Sequence, residues 1–521
     1  MLSRKAEQIF VDNGIEVDVK TGLGEEELST ALKGCDGLVV RSATKVTSTT
    51  LKNADELKVI GRAGVGTDNI DLEAATARGI VVMNAPSGNS TTTAEHALAL
   101  MFALARQIPE ANASTQAGKW EKSKFMGVEL TGKTLGIIGC GNIGAIVAER
   151  AVGLRMPVIA YDPFLSAERA ADLRIEMVEL PTLFVRSDFI TLHTSLTDST
   201  RNLIDAKAFS QMKKGVRLIN CARAELVVEE DLAAALESGH VAGAALDVFS
   251  KEPATENILF GRSNVVATPH LGAATAEAQE NVAIQIAEQM SEFLLTGAAT
   301  NTVNMPSISA EEAPVLRPYM RLVEQLGSFA GQLTDSGIEA VSIEFEGQVA
   351  TLNTRPLVSA ALVGLIAPLL DRVHVVNAPT VARERNISVS ETKNERPLDY
   401  QTLIRLTVRT GSGKRSVSGT LFGGDKPRIT EINGITIEAE VGPHMLYLRN
   451  KDFPGIIGKI GQTLGDNGVN IATFHLGRAE RGGDAMALLL LDEPIGSDVL
   501  DKLGKLKNIV QVKALAFNEH Q

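Results

Sequence analysis

Three short motifs carry side chains suited to proton transfer: Asn220-Cys-Ala-Arg223, Asp247-Val-Phe-Ser-Lys-Glu252-Pro253 and Thr268-Pro269-His270-Leu-Gly272. Together they offer a cation for a substrate carboxylate or carbonyl, and a histidine that gains or loses a proton near neutrality. They also offer a carboxylate that orients that histidine and stabilises the charge it takes on. A fourth motif, Leu135-Gly-Ile-Ile-Gly139-Cys-Gly141-Asn-Ile-Gly144, has the GxGxxG spacing. Its glycines permit a tight turn and close backbone approach to a pyrophosphate, and the helix that follows attracts the anion. At the end of the next apolar run stands Asp162, placed to accept from both ribose hydroxyls and to repel a 2′-phosphate. These parts suit hydride transfer between NAD and an alcohol, with NAD preferred over NADP.

The elements around the motifs fit a Rossmann-type α/β sheet. Six short apolar runs follow Lys133: Leu135 to Ile138, Pro157 to Tyr161, Phe189 to His193, Arg217 to Asn220, Ala242 to Leu246 and Val265 to Ala267. They alternate with helical stretches, and the chemical residues fall at or near strand ends, where open α/β sheets build their sites. Upstream, Gly37 to Arg41, Leu57 to Gly61 and Ile80 to Met83 read as strands, with a helix between the last two at Leu72 to Arg78. Thr92 to Arg106 reads as a buried helix capped by its threonine cluster, and Thr275 to Leu295 as a helix returning to the first domain. Gly297 to Pro318 reads as a linker. Beyond it, strands are expected at Gly337 to Glu346, Gln401 to Thr410 and Thr436 to Ala439, and a helix at Thr354 to Pro368. Asn433-Gly434 marks a hairpin turn. From His444 the order strand, helix, strand, strand, helix, strand describes a ferredoxin-like domain.

Composition narrows the function classes. A chain of 521 residues exceeds one hydrophobic core, and its net charge of −12 argues against a phosphate-bound nucleic-acid partner. Three cysteines, Cys35, Cys140 and Cys221, supply neither a disulfide framework nor metal-ligand spacing, so no metal and a reducing, cytoplasmic compartment are expected. The most apolar stretch, Val358 to Leu370, is shorter than the roughly 20 residues a membrane span needs.

The motifs, with Val40-Arg-Ser-Ala-Thr-Lys-Val46, Gly61-Arg-Ala-Gly-Val-Gly66, Met83-Asn-Ala-Pro86, Gly118-Lys-Trp120 and Phe125-Met-Gly127, resemble the D-2-hydroxyacid dehydrogenase family. The resemblance implies a catalytic set of Arg223, Glu252 and His270. It implies cofactor contacts at Gly139, Gly141, Asn142, Ile143, Gly144, Asp162, His193, Thr194, Cys221, Asp247 and Gly272, with Asp247 near the nicotinamide carboxamide. It also implies a substrate site at Arg41, Ser42, Arg62, Val65 and Gly66, where the turn Ala63 to Gly66 forms an anion nest and the arginines suit a phosphate.

The implied architecture is a doubly wound cofactor domain (97–283) inserted in a flavodoxin-like substrate domain (1–96 and 284–300). An α+β intervening domain (301–440), marked by Val376-Asn-Ala-Pro379, and an ACT domain (441–521) complete it. The ACT domain implies L-serine as effector at Asn450, Asp452 and Asn470, and the family implies a homodimer or homotetramer. The substrate is then a phosphorylated 2-hydroxy acid. Two alternatives stay open: reduction of another 2-oxo acid such as 2-oxoglutarate, and a non-catalytic nucleotide- and amino-acid-sensing scaffold.

Three departures carry expectations of their own. Ala224-Glu225 stands where the family has a glycine pair, so strain or a different loop is expected wherever those glycines take positive φ, and the extra acid is expected to weaken the hold of Arg223 on an anionic substrate. Val228 replaces a common aspartate. No apolar strand precedes the helix at Ser3 to Asn13, so an uncovered sheet edge is expected.

Overall fold

The computed structural model describes residues 3–396 and 399–517. Its residues divide into two compact units, one of 1–17, 63–66 and 85–287, the other of 18–62, 67–84 and 288–521. No helix among the described residues is long and apolar enough to cross a membrane.

The second unit opens with a small parallel sheet, β1 (Gly37–Val40), β2 (Val59–Arg62) and β3 (Val81–Asn84), in that spatial order. Its core packs Val40, Ile60 and Val82 against Leu28, Leu51 and Ala75 from the helical side. β1 is an edge strand, and 15–21, although rich in valine, forms no regular element.

The first unit holds a seven-stranded parallel sheet. Its strands are β4 (Leu135–Ile138), β5 (Val158–Tyr161), β6 (Glu176–Met177), β7 (Phe189–Leu192), β8 (Val216–Asn220), β9 (Val241–Leu246) and β10 (Val265–Ala267). The spatial order is β10-β9-β8-β7-β4-β5-β6. The chain winds outward from β4 through β6, then returns to β7 on the opposite side, so β4 and β7 flank the topological switch point. Ligands of open α/β sheets bind outside the carboxyl ends of such strands. Both faces are covered: Leu135, Ile137 and Val158 pack one way with the helix Asn142–Gly153, and Ile138, Ile190 and Leu218 the other way with Leu183 and Leu232. Six of the seven strands lie where apolar runs predict them. β6 is two residues long and has no apolar run to announce it.

The expected threonine cap at the helix near Thr92 is corrected by the structure. The helix is Ser90–Arg106 with Asn89 at its N-cap, and the threonines fall inside its first turn. Thr93 Oγ1 lies instead 3.1 Å from Asn89 O and 3.0 Å from Gly272 O, so its single hydroxyl hydrogen is shared between the helix's own first turn and the later turn.

The linker expected at Gly297 to Pro318 also needs correction. Helix Glu312–Gln332 takes its last third, with Pro318 inside the first turns, and the rest is tied down by side chains. Asn304 accepts the Val82 N–H and donates to Ile80 O, while Ile308 is buried. A polar composition that reads as flexible is here spent on hydrogen bonds.

A six-stranded sheet follows: β11 (Ile338–Gly347), β12 (Ser388–Asn394), β13 (Thr402–Thr410), β14 (Gly413–Phe422), β15 (Lys426–Ile432) and β16 (Ile435–Glu440), ordered β12-β11-β13-β14-β15-β16. Only β11 and β12 run parallel. Helices Glu312–Gln332 and Arg355–Ile366 cover it and approach closely, since a Cβ on Gly364 would meet Glu324 O at 2.0 Å. The Asn433-Gly434 turn has φ of 50 and 81°, the left-handed pair a two-residue hairpin requires.

The last domain is β17 (His444–Lys451), β18 (Ile471–Arg478), β19 (Asp484–Leu491) and β20 (Ile509–Ala516), antiparallel and ordered β18-β19-β17-β20. Helices Ile456–Gly465 and Ser497–Gly504 cover one face, as the ferredoxin-like reading expects.

Candidate active site

Within the first unit, the carboxyl ends of β8, β9 and β10 bring Arg223, Asp247 and His270 onto neighbouring strands. After β8, Asn220 shapes the loop, accepting the Ala222 N–H at 3.0 Å and donating to Arg223 O at 2.9 Å. After β9, Asp247 donates its own N–H to Asn220 O at 3.0 Å, locking the two strand ends together. After β10, His270 adopts a φ of 55°, which non-glycine residues seldom do.

His270 Nδ1 lies 2.8 Å from Glu252 Oε2, and Glu252 Oε1 accepts the Phe249 N–H at 3.0 Å. The carboxylate is thus aimed by backbone, and it fixes the imidazole with Nδ1–H as donor and Nε2 as the free base position. The His270 side chain is 53% exposed, so Nε2 is open to a ligand.

Asp247 has no exposed surface, yet every carboxylate oxygen is satisfied. Oδ1 accepts from Thr268 Oγ1 at 2.6 Å and Leu271 N–H at 2.7 Å, and Oδ2 from Gly272 N–H at 2.7 Å. Burial alone would push this carboxyl up, but hydrogen bonds from His96, Thr268 and Leu271 outweigh it and hold the group below the ordinary carboxylate range.

Beneath the switch point, the glycines behave as a pyrophosphate loop demands. Gly139 has φ 87°, and a Cβ there would strike the His193 backbone at 2.7 Å. A Cβ on Gly144 would meet Gly139 O at 2.1 Å. A Cβ on Gly141, at the N-cap of helix Asn142–Gly153, would meet nothing within 4 Å. That open N-terminus, with no side-chain cap, fits an anion such as the cofactor's pyrophosphate. Asn142 and Ile143 form the helix's first turn.

Asp162 follows β5, with Oδ2 accepting the Cys140 N–H at 2.7 Å and Oδ1 the Phe164 N–H at 2.8 Å. It therefore ties the end of β5 to the glycine loop. His193 and Thr194 follow β7 across the switch point, with the His193 N–H donated to Ile138 O. Burial pushes the His193 imidazole down to about 4, so it stays neutral near pH 7. Cys221 is buried, and burial pushes its thiol up, away from nucleophile duty.

The expected strain at Ala224-Glu225 is absent. Neither residue has positive φ; Ala224–Leu226 forms one 3-10 turn and Ala224 is buried. Arg223 is extended, with φ −138°, so the loop is built without the left-handed residue a glycine would supply.

The remaining candidates lie in different settings. Gly64, in the Ala63-Gly64-Val65-Gly66 turn of the first unit, has φ 147° and accepts the Ala85 N–H at 2.8 Å. Arg41 and Ser42, both exposed, follow β1, and Arg62 ends the adjacent β2 in the second unit. In the last domain Asp452 accepts from Gly482 N–H and Arg478, which hold its carboxyl below the usual range. Asn470 donates to Asp492 at 2.5 Å and is exposed, whereas Asn450 is 1% exposed and donates to Lys451 O. Sequence reasoning missed His96, whose Nε2 is 3.2 Å from Asp247 Oδ1. Its one visible signal was a histidine at the start of the Ala- and Leu-rich part of the helix, three residues after Thr93.

With this geometry established, similarity to known proteins is informative. Residues 98–272 match the family model of the NAD-binding domain of D-isomer specific 2-hydroxyacid dehydrogenases. Residues 315–433 match the D-3-phosphoglycerate dehydrogenase intervening domain, and 444–508 an ACT domain. The D-3-phosphoglycerate dehydrogenase of Synechocystis is 44% identical over 514 residues, covering 98% of this chain and 93% of that protein. The one from Bacillus subtilis is 41% identical over 94% of this chain and 93% of its own length. Among solved structures, D-2-hydroxyisocaproate dehydrogenase matches with a TM-score of 0.53 at 29% identity, covering 58% of this chain and 97% of its own.

Proposed function

The chain belongs to the D-3-phosphoglycerate dehydrogenase family, and we propose that its proton transfer runs through the His270–Glu252 pair. The reaction is the NAD-dependent oxidation of 3-phospho-D-glycerate to 3-phosphooxypyruvate, the first step of L-serine biosynthesis. When bound, NAD supplies the nicotinamide ring that accepts the substrate's C2 hydride.

His270 Nε2 takes the C2 hydroxyl proton as the carbonyl forms, and the imidazolium charge is met by Glu252 through Nδ1–H. The 2.8 Å bond between them is the observation that carries this assignment. Arg223 holds the substrate carboxylate and polarises the forming carbonyl. The backbone nest at Val65 and Gly66 is a second carboxylate ligand, and Arg41, Ser42 and Arg62 are phosphate ligands by residue type. Gly139 to Gly144 cradle the pyrophosphate, and Asp162 accepts from the adenosine ribose.

In the ACT domain, L-serine is the proposed effector, with its ammonium group competing with Arg478 for Asp452. Assembly as a homodimer or homotetramer belongs to the same reading. The departure at Ala224-Glu225 motivates the scaffold alternative, and the unstrained 3-10 turn takes away the backbone part of that motive, leaving the extra charge of Glu225 beside Arg223.

The deciding experiment follows NADH formation with a panel of 2-hydroxy acids, with and without L-serine. Oxidation of 3-phosphoglycerate in preference to unphosphorylated acids is expected. No activity on it, or undiminished activity in His270→Ala, would overturn the reading.

A further inference from the structure

Helix Ser90–Arg106 presents two side chains, Thr93 and His96, to the turn that carries His270. They stand three residues apart, so they lie on one helix face. Thr93 Oγ1 donates to Gly272 O at 3.0 Å. His96 Nε2 lies 3.2 Å from Asp247 Oδ1 and 3.1 Å from Thr268 Oγ1.

The proton count identifies the donor. Thr268 has one hydroxyl hydrogen and gives it to Asp247 at 2.6 Å. Asp247 accepts backbone N–H groups from Leu271 and Gly272, and a carboxylate has no hydrogen to return. Nε2 therefore carries the hydrogen and donates to the buried carboxylate. Asp247 in turn holds both residues after His270, while the His270 N–H donates to Thr268 O at 3.0 Å. The left-handed backbone of His270 is thus flanked on both sides by residues hydrogen-bonded to Asp247, Thr268 before it and Leu271 and Gly272 after it.

We propose that His96 is a positioning residue for proton transfer: its Nε2–H fixes the Asp247 carboxylate, which sets the turn that aims His270 at Glu252. The inference deepens the dehydrogenase reading and rests on it for its kinetic arm. His96 touches neither substrate nor cofactor in this role. A side chain that only filled space would be replaceable by leucine, whereas a donor is replaceable by glutamine, whose amide reaches a similar distance.

The test compares His96→Leu and His96→Gln with the wild type. In His96→Leu, kcat for 3-phosphoglycerate falls about tenfold or more with KM changed less than about threefold, the cost of one charge-assisted hydrogen bond to a buried carboxylate. His96→Gln recovers to within about threefold of wild type. A second readout needs no turnover: carbethoxylation of His270 by diethyl pyrocarbonate, followed by peptide mass spectrometry. Its rate changes at least about twofold in His96→Leu as the His270 turn loosens, and returns in His96→Gln. Unchanged His270 reactivity in His96→Leu, or His96→Gln behaving like His96→Leu, overturns the proposal. An inactive wild type that still shows the reactivity change would sink the substrate assignment alone.

Discussion

His270 Nδ1 and Glu252 Oε2 stand 2.8 Å apart, and the same carboxylate is anchored to the backbone through the Phe249 N–H. The pair is therefore preorganised: the histidine's tautomer and ring orientation are set before substrate arrives. Replacing Glu252 with glutamine keeps the shape but removes the charge that meets the imidazolium. A drop in kcat of about 10- to 100-fold is expected, within the usual range for assisted acid–base catalysis, and His270→Ala should lose roughly a hundredfold or more. Steady-state NADH formation measures both, and Glu252→Gln at full speed would remove the carboxylate from the mechanism.

Asp162 accepts the Cys140 and Phe164 N–H groups, so the acid proposed to bind the ribose also shapes the glycine loop. Asp162→Ala should raise the KM for NAD by about tenfold or more and narrow the preference over NADP, since a carboxylate that accepts two hydroxyls and repels a phosphate is lost. Parallel saturation curves for the two cofactors decide it.

His193 supplies a pH dependence of stability. Its imidazole is pushed to about 4 by burial, below the unfolded value of about 6.5. A depressed histidine must be charged on unfolding at low pH, so its contribution is fully present above about pH 6.5 and is lost as pH falls toward 4. The loss is on the order of 3 kcal/mol across that window, from roughly 1.4 kcal/mol per unit of separation. Denaturant midpoints from pH 7 to pH 4.5 should fall less steeply in His193→Phe than in wild type. Parallel slopes would contradict the assignment.

Val228 is the N-cap of helix Glu229–Glu237 and makes no side-chain capping bond. Val228→Asp would supply an acceptor for a first-turn N–H, and about 1 kcal/mol of added stability is expected. The denaturant midpoint of the full chain reads it, with activity unchanged. A lower midpoint would mean that the valine's packing outweighs the cap.

The doubly wound sheet was legible because its strands are buried on both faces and so read as continuous apolar runs bounded by turn residues. Leu135 to Ile138 and Val265 to Ala267 have the same limits in sequence and structure. β14 and β15 were not read as strands, nor were β6, for its length, and β12, because all seven of its residues are exposed. A strand held by one neighbour and facing water has no hydrophobic period to read.

The residue types at the site were determined by the sequence itself. Gly139 and Gly144 have backbone reasons to be glycine, a positive φ in the first and a close approach to Gly139 O in the second, and the strand-end placement of Asp162, Arg223 and His270 follows from the alternation of elements. Tertiary structure decided which groups meet. Glu252 is eighteen residues from His270, and the loops after β9 and β10 bring the two together; His96 lies on a helix far upstream of Asp247, and the packing of helix Ser90–Arg106 brings that pair within reach. Hydrogen bonds depend on distance and angle between chain segments, and sequence spacing carries neither. For the same reason Ala224-Glu225, a conflict on paper, became an ordinary turn once the backbone around it was set.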